Sequence, residues 1–158
     1  MFLVRESSAD REARILALLA VDPAWAAVLA VVHVEWTLRR AIVALGCSPN
    51  TTIRQKLERC HGQRDYKTLW QAEVTPRTGV RLPDLIGDWQ GLLRAFRLRH
   101  LLVHGVRSST RDHAAPRVQW AIDAARDVRQ FCASHGVDLD TRLPVRRQPF
   151  VPPPAISH

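Results

Sequence analysis

The sequence predicts an all-α protein, a bundle of about five to six helices followed by a Pro-rich tail. Apolar residues recur at steps of three and four over long stretches, the period of a helix with one buried face. No convincing alternation of apolar and polar residues, the period of a half-buried strand, is present. Acceptor-plus-proline starts and glycine stops divide the periodic stretches into separate helices.

Ser8 to Ala20 is the first helix, carrying Ile15, Leu16, Leu18 and Leu19. Asp22-Pro23 restarts the chain: the carboxylate can accept from a free N–H of the first turn, and proline tolerates the first helical position. The second helix runs from Pro23 to about Leu45, with Gly46 as its stop and Pro49 enforcing it. Thr52 and Gln55 resemble a capping box for a third helix ending at Gly62. Arg64 to Val74 is a further helix, halted by Thr75-Pro76, and Pro76 to Pro83 is a loop. Asp84 opens a long helix whose apolar face is Leu85, Trp89, Leu92, Leu93, Phe96 and Val103, and Gly105 ends it. Val106 to Ala115 reads as a polar, Arg- and Ser-rich loop. Pro116 starts a last helix through Trp120, Ile122, Val128 and Phe131 to His135-Gly136. Residues 1–143 thus make one domain, and 144–158 form a tail with five of the ten prolines and no regular structure.

A chain of 158 residues is long enough for a real core. The net charge of +8 points to a polyanionic partner, nucleic acid or an anionic membrane surface. Lys56 and Lys67 are the only lysines, and an Arg-, Ala- and Pro-rich composition also follows from GC-rich coding. The distribution of charge therefore tells more than the total. From Arg94 to Arg111 there are five arginines and no acidic residue. Cys47, Cys60 and Cys132 are widely spaced and odd in number, which supports neither a zinc ribbon nor a disulfide framework. A reducing cytoplasm is the expected compartment. Met1 to Arg14 becomes charged too early for a signal peptide, and the apolar run from Ala24 to Val32 is too short to span a bilayer.

The chemistry-bearing stretch is Arg94-Ala-Phe-Arg97-Leu-Arg99-His100-Leu-Leu-Val-His104-Gly105, at the end of the long helix. Arginine holds a phosphate through a planar, permanently charged fork, and histidine moves protons near neutral pH. Bare Arg-x4-His occurs about once by chance in a chain with this many arginines and histidines. Its context carries the signal: a helix end, His100 beside the arginine, Leu101 to Val103 as anchor, then glycine and a basic loop.

Leu93-x-x-Phe96-x-x-Arg99-His100-x-x-Val103-His104-Gly105 resembles the signature of HEPN domains (higher eukaryotes and prokaryotes nucleotide-binding). These are all-helical domains marked by an Arg, a polar residue and a His four to six residues after the Arg. His33-x-Glu35-Trp36-x-Leu38-x-x-Ala41-Ile42 resembles their second helix, so the likeness spans about Ala24 to Phe131. The resemblance implies a HEPN-like bundle and a homodimer in which two motifs meet in one cleft. It also implies metal-independent RNA cleavage, as in toxins or antiviral effectors, with an antitoxin or regulatory protein as a further partner. Some members have lost catalysis. One toxin subgroup carries a modified tyrosine two residues after the motif histidine, where this chain has Val106.

Helix geometry supports the dimer independently. At ~100° per residue Arg99 and His104 lie roughly 140° apart, whereas His100 and His104 share a face. A site using Arg99 and His104 needs the flexible arginine to wrap round, the helix end to distort, or a second copy of the motif, which a two-fold axis beside the helix would supply. The expected endoribonuclease uses Arg99, His104 and His100 as catalytic residues and Arg94, Arg97, Arg107 and Arg111 as RNA-binding residues. Glu35 is a supporting residue, paired with an arginine such as Arg99, or else a surface group on one stripe with Arg39. No metal, no cofactor and no membrane partner are expected.

Blander readings stand beside these. His104 can simply answer the negative end of the helix dipole, His100 can be an exposed or packed helical histidine, and the arginines can be a solvated face. His100-x3-His104 as a metal site needs further ligands, and only Asp112 and His113 are near in sequence. The whole domain can be a catalytically silent dimerisation or protein-interaction module, or, more weakly, a basic DNA-binding protein. No helix-turn-helix signature supports the last.

Overall fold

A computed structural model describes residues 6–106 and 108–152, and all regular structure among them is helical. The elements are α1 (Ser8–Leu19), α2 (Pro23–Leu45), α3 (Asn50–Leu57), α4 (Gln63–Glu73), α5 (Thr75–Thr78), α6 (Leu82–Leu85), α7 (Trp89–Val103) and α8 (Arg111–Ser134). Six are helices of two turns or more, and α5 and α6 are single turns. Among the described residues no helix is long and apolar enough to cross a membrane.

The second helix forms where its punctuation places it. Asp22 accepts from the Trp25 N–H at 3.1 Å, Pro23 opens the first turn, and Gly46 caps the end at Leu45. Its middle is apolar almost all round, so it must be covered on several sides. Ala26, Ala30, Val31, Val34, Leu38, Ala41 and Ile42 are all essentially inaccessible. The covers are α1, α7 and α8, with α3 and α4 across its C-terminal half.

Several boundaries differ from the sequence reading: α3 ends at Leu57 and not at Gly62, the expected loop from Pro76 to Pro83 holds most of α5 and the start of α6, and three helix starts move. The expected helix from Asp84 is divided: α6 stops at Leu85, the chain straightens through Ile86, and Asp88 caps a new helix by accepting from the Gly91 N–H at 2.7 Å. A local carboxylate acceptor at Asp88 thus starts α7 where apolar spacing alone ran on. Helix α3 begins at Asn50, so Thr52 sits inside it and makes no cap. Helix α8 begins at Arg111, capped by Thr110, and holds Pro116 in its second turn. Thr110 supplies the acceptor that Pro116 cannot, and the helix gives up one internal hydrogen bond.

Helices α7 and α8 form an antiparallel hairpin. The Gly87 N–H donates to Asp127 at 2.9 Å, and Gly91 lies against Trp120. A Cβ on Gly91 would come within 2.6 Å of the Trp120 ring, so glycine is what lets the helices approach here.

A buried polar cluster fastens α1, α2 and α8. Glu12 accepts from Arg126 at 2.8 Å, from Arg129 at 2.6 Å and from the buried His33 ring at 3.4 Å. Arg11, also buried, donates to the other His33 nitrogen and stacks 3.8 Å over Trp36. Its guanidinium pairs with Asp140, which also accepts from Ser8. Each buried charge in this cluster has a partner of opposite sign, the condition under which burial is tolerated.

The stretch after Leu143 has no helix or strand through Val151 and Pro152, yet it is tied down. Arg146 donates to the main-chain oxygens of Val43, Ala44 and Ser48, satisfying carbonyls at the end of α2. Asn50 bonds the Pro144 carbonyl, and the Phe150 N–H bonds Cys47.

Two outcomes follow. Burial raises the Glu12 carboxyl, but hydrogen bonds from His33, Arg129 and Arg126 outweigh it and hold the group at about 2, against an ordinary 4.5. Glu12→Gln is expected to destabilise the protein by about 3 kcal/mol at pH 7. Because the folded value is depressed, this stability is complete above pH 4.5 and is lost as pH falls toward 2. Urea unfolding of wild type and variant across that window should show the gap closing. Gly91→Ala should lower stability by about 1–2 kcal/mol: crowding of the Trp120 ring exceeds the gain in helix propensity. Equal or higher stability would show that α7 and α8 separate freely.

Candidate active site

The last turn of α7 holds the motif, and its backbone is closed by a left-handed glycine. Gly105 has φ of 66°, its N–H bonds the Leu102 carbonyl, and the Val106 N–H bonds the Leu101 carbonyl. This is the Schellman closure, and it makes His104 the C-cap residue. His104 is thereby held at an exposed helix end, near the negative pole of the helix. His100 is exposed one turn earlier, and the two rings pack at 4.4 Å between centroids.

Arg99 points to a different side. Its Nη2 lies 3.6 Å from a Glu35 carboxylate oxygen on α2, a long ion pair. Its Nε is buried without a hydrogen-bond acceptor among the described residues. The side chain as a whole is one-third exposed and lines an open cleft. A buried N–H without a partner costs about 1–3 kcal/mol.

Glu35 is mostly buried. Burial pushes its carboxyl above the ordinary value, and the nearby Arg99, Arg39 and His61 pull it down without overcoming that. Of the two sequence readings for Glu35, the geometry gives the Arg99 pair, while Arg39 bonds the Tyr66 hydroxyl at 2.8 Å.

An open cleft of about 400 Å³ joins these groups to the α3–α4 connection. Arg97, Arg99 and His100 line one side, His61, Gly62 and Gln63 the other, with Leu93 and Phe96 as apolar wall. His61 is the residue that sequence reasoning missed. It is a lone loop histidine, and no spacing links it to α7.

The motif is thus split between neighbouring surfaces. Arg99 and His100 share the cleft, His100 and His104 share a ring contact, and His104 does not line the cleft. The divergence of Arg99 and His104 expected from helix geometry is present.

Arg94 and Arg97 are exposed along the same helix, and Arg94 lies 5.7 Å over the Trp120 ring. Arg111 is exposed at the first residue of α8. Arg107 lies outside the described residues. Val103, expected on the apolar face, is instead 56% exposed. It borders a groove of about 480 Å³ with Ala24, Trp25, Val28 and Leu102, and Trp25 is 59% exposed.

Among the described residues no three His, Cys, Asp or Glu side chains gather in a metal-binding group. A larger groove of about 580 Å³ runs along Arg126, Arg129 and Asp140, but its arginines are committed to Glu12. Comparison with protein-family models, curated proteins and solved structures finds no match.

The raised Glu35 carboxyl has a measurable consequence. Its folded value lies above 4.5, so ionising it costs folding energy, and stability falls as pH rises through the interval above 4.5. Glu35→Gln should flatten that decline and leave the melting temperature at pH 7 equal or higher. A clear drop in melting temperature would mean that the Arg99 pair outweighs the burial cost.

Proposed function

We propose that the protein is a metal-independent endoribonuclease of HEPN type, acting as a homodimer. The observation that carries this reading is the state of Arg99. It is a part-exposed guanidinium with a buried, unpartnered N–H and one long ion pair, beside two exposed histidines at a helix end. The motif's resemblance to HEPN domains supports the same reading, and so does the basic surface around it.

In the proposed reaction the ribose 2′-oxygen attacks its own phosphodiester and the bond to the 5′-oxygen breaks. His104 takes the 2′-OH proton or gives one to the leaving oxygen, a task suited to imidazole. Arg99 stabilises the charge that develops on the phosphate oxygens. His100 orients the phosphate or relays a proton to the neighbouring ring. The products are a 2′,3′-cyclic phosphate and a free 5′-hydroxyl. A toxin or antiviral effector is the cellular role this chemistry suits.

The second copy enters because Arg99 and His104 face different surfaces. The exposed Trp25 and Val103 border one apolar groove, Val103 being the residue before His104, and a second copy would cover it. That contact would bring one motif toward the other.

One observation favours a second reading. The Glu35–Arg99 pair can be purely structural, which would make the domain a catalytically silent dimerisation or protein-interaction module.

The test is RNA cleavage by equal amounts of folded wild type and variants, in EDTA, with product ends analysed. His104→Ala should abolish cleavage while costing at most about 1 kcal/mol of stability. Arg99→Ala should lose about 100-fold or more, and His100→Ala an intermediate amount. Sedimentation at micromolar concentration should give a dimer. Wild-type rates from His104→Ala would transfer the protein to the silent class.

A further inference from the structure

A second basic groove lies between α7 and α8. One wall is Arg94 and Arg97 of α7, the other is His113 and Arg117 of α8, and Leu98 and Leu101 form the floor. Its volume is about 280 Å³. Among the described residues none that lines it is acidic, and none that lines the Arg99 cleft is. This distinguishes it from the groove of Arg39, Arg40 and Arg54, which includes Glu58.

Arg97 lines both the interhelical groove and the Arg99–His100 cleft, so the two concavities share a wall. Arg117 is held in place by a 2.7 Å bond from its Nη1 to the His113 carbonyl. Arg94 is held over Trp120. Their charges are therefore pre-positioned, which lowers the ordering cost of binding.

We infer that the α7–α8 groove is a phosphate-binding channel for single-stranded RNA, leading into the Arg99–His100 cleft. The inference rests on the ribonuclease reading of the motif. From Arg94 to Leu101, the groove's extent along α7, the helix rises about 10 Å. A duplex strand repeats its charge every ~3.4 Å and an extended single strand less often, so this length takes a short backbone segment of about two or three phosphates. The recessed shape suits a strand better than a flat bilayer surface. The leucine floor has no hydrogen-bonding group for base edges, so the channel holds backbone and does not select sequence.

The test uses a labelled single-stranded RNA of about 12 nucleotides and fluorescence anisotropy, with His104→Ala protein so that the RNA stays intact. Adding Arg94→Ala or Arg117→Ala should weaken binding about tenfold and reduce the salt slope by about one. Arg97→Ala, at an exposed position that cannot upset folding, should do the same. Arg142→Ala removes the same charge from the C-terminal segment and should bind like the parent. Equal affinity in all four variants overturns the channel, as does groove-dependent binding to phosphatidylserine vesicles without RNA binding. The cleavage assay separates the two claims. Binding that depends on Arg94, Arg97 and Arg117 without wild-type cleavage supports the channel and sinks the nuclease reading. Cleavage with no dependence on these arginines does the reverse.

Discussion

The polar residues of α2 determine where the other helices sit. An apolar helix can be covered by neighbours in many registers, because hydrophobic contact is not directional. Four polar side chains on this buried helix remove that freedom. His33 requires Glu12 of α1, Glu35 meets Arg99 of α7, Arg39 bonds Tyr66 of α4, and Arg40 bonds the Leu139 carbonyl beyond α8. Each partner comes from a different surrounding segment. The position of Arg99, on which the proposed site depends, is thus one consequence of how α2 satisfies its buried polar groups.

Glu12 and Glu35 show that burial alone does not decide the state of a carboxylate. Both are largely withdrawn from water, at 5% and 14% side-chain exposure. Glu12 receives two short arginine bonds and a histidine bond, and its carboxyl is driven far down. Glu35 has one arginine at 3.6 Å and is driven up. Well-formed hydrogen bonds outweigh desolvation at the first, and a loose ion pair fails to do so at the second. The first arrangement fastens the bundle. The second leaves Arg99 weakly held, which suits the phosphate-binding role proposed for it.

Much of the fold was legible because its determinants are local. Asp22-Pro23, Gly46 and the apolar spacing of α2 each act within a few residues, and the helix lies where they place it. The break before α7 was missed because Asp88 acts as a cap only once the chain straightens at Ile86. Pro116 misplaced the start of α8 because a proline in an early turn reads like one at the first position. At the motif, the divergence of Arg99 from His104 followed from helix geometry, and Glu35 as a partner followed from the cost of an unpaired buried charge. His61 and Arg117 were not legible. They reach the site through the α3–α4 connection and the α7–α8 hairpin, and no sequence spacing encodes those contacts.

Arg99 and the two histidines are spread over two neighbouring surfaces of the chain. Arg99 is drawn inward by Glu35, so its fork opens into the cleft beside α3 and α4. His104 is held outward by the Schellman turn, against the edge of the apolar patch. Turning the Arg99 side chain toward His104 has a cost, because it would leave Glu35 without its arginine. His100 touches both surfaces, through the cleft and through its 4.4 Å ring contact. It can pass a proton or a hydrogen bond between them. In the proposed homodimer a second copy covering Trp25 and Val103 would leave these local interactions intact and bring in a second motif. The same apolar exposure that is unfavourable in a monomer is then what completes the proposed site.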